Sequence, residues 1–148
     1  MTLVKKILCP IDLREEENSS VVDYASTMAK KMEAQLVLVH VIPKFDEYVG
    51  AAPLVVSASA FMKEVIEDSE EKIKKILVPL VADGVKVSSI ITSGEIAAAI
   101  LNTAEEGEFD LIIMGTKGKS GMEGILFGSV AQKIVQTSPI PVLTLKPE

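Results

Sequence analysis

Five glycines fall within the fourteen positions of GTKGKSGMEGILFG, residues 115 to 128. Gly115, Gly118, Gly121 and Gly124 recur every third residue, and Gly128 directly precedes Ser129. The whole chain has nine glycines, so more than half are concentrated here. Glycine lets backbone N–H groups approach an anion with no Cβ in the way. It also takes the positive φ values that turn successive amides inward. Gly128 and Ser129 open a helical pattern, whose free amides and positive dipole end favour negative charge. Lys117 and Lys119 add positive charge in a chain of net charge −6. The chemistry this pattern suits is phosphate binding.

Two familiar phosphate loops are excluded by spacing. Gly118-Lys119-Ser120 resembles the end of a Walker A loop, but the position that must hold its first glycine is Ile113. A dinucleotide fingerprint needs a Gly-x-Gly step after the first strand, and there is none. Asp12 ends a Pro10-Ile11-Asp12 turn behind the first apolar run; by itself it is an ordinary turn former, and beside a glycine loop it becomes a binding residue. His40 alternates with Val39 and Val41 inside an apolar run and reads as a hydrogen-bonded core histidine. Cys9, which ends an apolar run, reads as a small core residue. No Ser-His-Asp order, Cys-His pair or carboxylate cluster with a base accompanies the loop, so binding without rapid turnover is expected.

The elements that must position these residues follow from hydrophobic periodicity. Residues 3–9 form a short apolar run ending at Pro10, and residues 19–34 place Val21, Val22, Ala25, Met28, Ala29 and Met32 on one helical face. Residues 35–42 are nearly continuously apolar, as in a strand buried on both faces of a parallel sheet. Residues 43–53 have no period. A long helix is expected from Ser57 to Asp83, with Gly84 as C-cap and Pro79 kinking it or ending it early. Strand 85–93, helix 95–107 closing on Gly107, strand 110–115, helix 129–138 and strand 141–146 complete the order. Leu13-Arg14 follows Asp12, so a hydroxyl cap is missing and the first helix is capped from Asn18 or Ser19.

Strands alternating with helices specify an α/β domain: an open five-stranded parallel sheet, order 3-2-1-4-5, with helices on both faces. Ligands of such sheets sit beyond the carboxyl ends of the strands where the order reverses, here between the first and fourth strands. The Pro10–Asp12 turn and the glycine loop both fall there. With 148 residues, 48% of them apolar, and no linker or composition shift, one domain over residues 1–148 is expected. The acidic balance excludes a sequence-independent grip on nucleic acid. One cysteine excludes an internal disulfide, the charges in the opening MTLVKKILCPID are unlike a signal peptide, and no apolar run spans a membrane. A cytoplasmic protein is expected.

Gly115-x2-Gly118, nine further residues and then Gly128-Ser129 is a spacing that resembles the nucleotide-binding signature of the universal stress protein family. KKILCPID is similar to that family's opening strand and turn, LVLVHVI to its second strand and PIPVLTL to its last. The resemblance implies an adenine nucleotide alpha hydrolase-like fold and an ATP site, with Mg²⁺ accompanying the phosphates. By position, Pro10, Ile11 and Asp12 line the adenosine side, and Val41 and Met114 contact the base. Gly115, Lys117 and Gly118 approach ribose and phosphates, and Gly128, Ser129 and Val130 hold the phosphate tail. Asp12 has ribose, base or a phosphate-bound Mg²⁺ as alternatives. Leu13-Arg14 replaces the Gly-Ser or Phe-Ser frequent in the family, and Arg14 has the phosphates as one partner.

The function implied is that of an ATP-responsive regulatory or stress-protection protein. The alternatives are a slow ATPase or phosphotransferase and a nucleotide-free oligomeric interaction protein, the latter disfavoured by the intact glycine pattern. The last strand is apolar at Val142, Leu143 and Leu145 and lies at a sheet edge, which invites another strand. The resemblance likewise implies a homodimer through it.

Overall fold

The computed structural model describes residues 3–14, 18–44, 58–116 and 128–146. Five strands, β1 (Lys6–Pro10), β2 (Gln35–Ile42), β3 (Val87–Ser93), β4 (Leu111–Gly115) and β5 (Val142–Leu145), form one parallel sheet in the order β3-β2-β1-β4-β5. Between them run α1 (Ser19–Met32), α2 (Ala58–Ala82), α3 (Ile96–Glu106) and α4 (Ser129–Thr137). The order 3-2-1-4-5 read from the sequence is the order observed.

Alternation along the strands sorts the core into two layers. Ile7, Cys9, Leu36, Leu38 and Ile113 face α1 and α2, packing on Val22, Ala25, Ala29 and Ile73. Leu8, Val37, Val39, Ile112 and Met114 face the opposite side, against Ala97, Ile100 and Ala104 of α3 and Ala131 and Ile134 of α4. β2 is buried from Leu36 to Ile42, as its unbroken apolar run requires. Cys9 is fully buried and its thiol is pushed up to about 12 by desolvation, the state of an inert core residue.

Helix ends show local rules and one exception. Gly84 takes φ +86° behind α2; its amide donates to Val81 O (3.0 Å) and that of Val85 to Leu80 O (3.0 Å), a complete Schellman closure. Pro79 does not end α2 early: the helix runs on to Ala82. The ring is on the exposed face, while Ile76, Leu77 and Leu80 pack on the core and hold the turn. Gly107 ends α3 with φ −86°, and the left-handed residue is the following Glu108, φ +55°. A side chain at 107 would lie 2.5 Å from the Phe109 ring. No helix among the described residues is long and apolar enough to cross a membrane.

Candidate functional site

The strand order reverses between β1 and β4, and Pro10 opens the gap there. The Ile11 amide donates to Val39 O of β2 (2.9 Å), so the alternate position, Pro10, aims its nitrogen toward β4. A proline there has no N–H to give, and β1–β4 pairing is confined to Ile7 with Leu111 and Leu8 with Ile112. Two strands that part at their carboxyl ends leave a crevice between the turn after β1 and the segment after β4.

Side chains build the first wall. Asp12 Oδ1 accepts from the Arg14 amide and from Arg14 Nε, both at 2.9 Å, and Oδ2 accepts from Arg14 Nη2 at 2.9 Å. The guanidinium thus makes a two-pronged ion pair across an Asx turn. Asn18 holds the same residue by its backbone: Nδ2 donates to Asp12 O (2.8 Å) and Oδ1 accepts from Asp12 N (3.3 Å). Asn18 is the N-cap position of α1, as expected, but its side chain makes no cap bond. It is spent on Asp12 instead. Beneath the turn, buried His40 brings Nδ1 within 3.2 Å of Ile11 O and 3.3 Å of the Leu13 amide. A protonated Nδ1 donates to Ile11 O; a bare one accepts from Leu13 N–H. The core reading of His40 holds, and this histidine is also the prop of the turn.

Burial raises the Asp12 carboxyl, yet the Arg14 hydrogen bonds and charge outweigh it and hold the group below the ordinary aspartate value. Burial lowers His40, with Arg14 and Lys72 pushing the same way and the Ile11 carbonyl and Asp12 opposing. The imidazole is therefore neutral at pH 7.

Backbone builds the second wall. Thr116 N donates to Leu145 O (2.9 Å), and Thr116 O accepts from Gly128 N (2.5 Å), which ties the end of β4 to the start of α4. The α4 ladder begins with Gln132 N to Gly128 O (3.0 Å), so the amides of Ser129, Val130 and Ala131 precede it and carry the positive end of the helix. Gly128, at the N-cap position, has no side chain to cap them. Thr116 is 3% exposed, and its Oγ1 is a buried oxygen with no hydrogen-bond partner. Sequence reasoning passed over this residue: a threonine beside a glycine looks ordinary until its burial is known.

Pro10, Ile11 and Asp12 follow from β1, and Gly115, Gly128, Ser129 and Val130 lie at the end of β4 and the start of α4, the elements on the two sides of the strand-order reversal. Their local roles differ from those the pattern implies. The Gly128 amide is already bonded to Thr116, and among the described residues those of Ser129 and Val130 have no backbone acceptor. A side chain at Gly115 would stand 3.3 Å from Val21 Cγ2, so this glycine makes room for α1. Val41 and Met114 are each 5% exposed and share the α3–α4 core layer, whereas Ile11 packs on the α1–α2 side. Lys117 and Gly118 lie outside the described residues. Arg14 is paired with Asp12. That pairing also answers whether a divalent cation fits: three of the roughly four lone-pair positions of a carboxylate are taken by Arg14. Among the described residues no group of three or more His, Cys, Asp or Glu is placed to hold a metal. As it stands, engaged on both oxygens by Arg14, the Asp12 carboxylate does not fit Mg²⁺.

A family model described as the universal stress protein family matches residues 3–146. Universal stress protein MJ0531 of Methanocaldococcus jannaschii is 33% identical over 144 residues, covering 97% of this chain and 83% of that one. Universal stress protein MJ0577 of the same organism is 32% identical over 156 residues, covering 97% and 96%. The solved structure of MJ0577 superimposes with a TM-score of 0.77 over 99% of each chain. A universal stress protein from Archaeoglobus fulgidus in complex with dAMP superimposes with a TM-score of 0.68, covering 97% and 98%; at 19% identity it shows the fold alone.

Proposed function

The chain belongs to the universal stress protein family, and from that premise we propose that it binds an adenine nucleotide, ATP, in the crevice between β1 and β4 as a regulatory ligand. One observation carries the reading. At the single reversal of strand order, the Asp12–Arg14 turn follows β1, and β4 leads to α4, whose first turn carries the amides of Ser129 and Val130. The helix end supplies fixed partial positive charge for phosphates, and the turn offers polar groups to the sugar. Calorimetric titration tests this: ATP binds one site per chain, and GTP binds more weakly because Val41 and Met114 back the base pocket. Equal affinities remove base recognition, and no heat with either nucleotide removes the site.

Association belongs to the same reading. β5 is an edge strand whose four residues are all half-buried in the single chain, and its outer backbone groups have no strand beside them. A two-fold pairing of β5 with its copy satisfies both edges. Thr144→Pro removes one edge donor and weakens that dimer in sedimentation experiments. A wild-type monomer at micromolar concentration, with and without ATP, sinks it.

A further inference from the structure

We propose that Arg14 occupies the position a divalent cation would take on Asp12, so that this chain binds its nucleotide without a metal at that carboxylate. The inference rests on the nucleotide reading above and adds to it the residue that sets metal dependence. Three donors of one residue, the amide, Nε and Nη2 of Arg14, reach the two Asp12 oxygens at 2.9 Å each. Both carboxylate oxygens are thus engaged by one residue. Asn18 holds Asp12 by both backbone groups, and His40 underpins Ile11 and Leu13 on either side. A cation arriving at Asp12 must therefore expel a guanidinium already seated in a two-pronged geometry, or share the carboxylate with it against like-charge repulsion.

The pairing has a consequence for the ligand. A bare Asp12 at the mouth of the crevice repels a polyphosphate, and a metal ion is the usual remedy for such repulsion. Here Arg14 neutralises the carboxylate permanently, in sequence and within two residues.

The experiment is a set of ATP titrations in excess Mg²⁺ and in excess chelator, on the wild type, Arg14→Gln and the double variant Asp12→Asn/Arg14→Gln. The wild-type dissociation constant changes by no more than about twofold between the two conditions. Arg14→Gln loses at least about tenfold in chelator and regains most of it in Mg²⁺. The double variant, with no charge left at either position, recovers affinity in chelator. A wild type that weakens tenfold or more on metal removal overturns the proposal, as does an Arg14→Gln variant with the metal response of the wild type. A second measurement needs no nucleotide: Mn²⁺ broadening of the amide NMR signals of residues 11–14. Arg14→Gln is broadened preferentially there, the wild type is not, and equal broadening in the two, strong or absent, overturns the proposal. Failure of every protein to bind ATP would end the nucleotide reading, while the Mn²⁺ comparison still decides the role of Arg14.

Discussion

The two walls of the crevice are made in different ways. The turn after β1 is held by side chains: a carboxylate, a guanidinium, an amide and an imidazole, each engaged with a neighbour within the wall. Among the described residues the junction of β4 and α4 is held by main chain, Thr116 being tied by N–H to Leu145 and by carbonyl to Gly128. Side-chain walls carry titratable charge and can differ between relatives by single substitutions. A main-chain wall presents amides and a helix dipole whatever the residue identities, and its charge does not titrate. In the nucleotide reading proposed above, the first wall would set selectivity and pH response and the second would supply the anion grip.

The largest effect is expected where the first wall meets the core. His40→Ala opens a void beneath the turn and leaves Ile11 O or Leu13 N without its partner, costing about 3 kcal/mol of stability in urea unfolding. A cost under about 1 kcal/mol would mean that the turn stands without its prop. The second wall is broken differently. Gly128 has φ −70° and ψ 165°, which any residue adopts, and Gly128→Asp places a good N-cap residue there. Thermal stability is kept or raised, whereas ATP affinity drops at least tenfold, about 1.4 kcal/mol. If affinity and stability move together, the helix end is structural only.

Asn18→Ala tests whether the first wall is clipped by that residue, with an expected loss of about 1 kcal/mol and a less ordered Asp12 amide by NMR. A helix-capping role would instead fray α1, visible as faster hydrogen exchange in its first turn. The smallest effect is pH-linked. The folded Asp12 carboxyl lies below its unfolded value of about 3.9. Its contribution is thus fully present above that value and is lost as pH falls through the lower folded value. The stability difference between wild type and Asp12→Asn is flat above about pH 5 and shrinks below about pH 4. A difference that instead grows on acidification would contradict the Arg14 pairing.

Much of the architecture is legible in the residues alone, because the signals are local. The unbroken apolar run of 35–42 is β2 to the residue, and Gly84 is the left-handed closure of α2. The alternation of strands and helices led to the observed sheet order, and the glycine cluster and Pro10-x-Asp12 pointed to the crevice where that order reverses. Partners were not legible. Asn18 is in the right place to cap α1 and bonds Asp12 instead, since the fold carries the turn to within its reach. Gly128 looked like an anion donor, but its amide meets Thr116, twelve positions earlier, only once α4 has returned to the sheet. His40 reads as a core residue from its strand, while its task under Ile11 and Leu13 exists only because β1 and β2 lie side by side. Period and caps act over one or two turns of chain and are written in it; which donor meets which acceptor depends on segments far apart in sequence, and only the packed tertiary structure decides that.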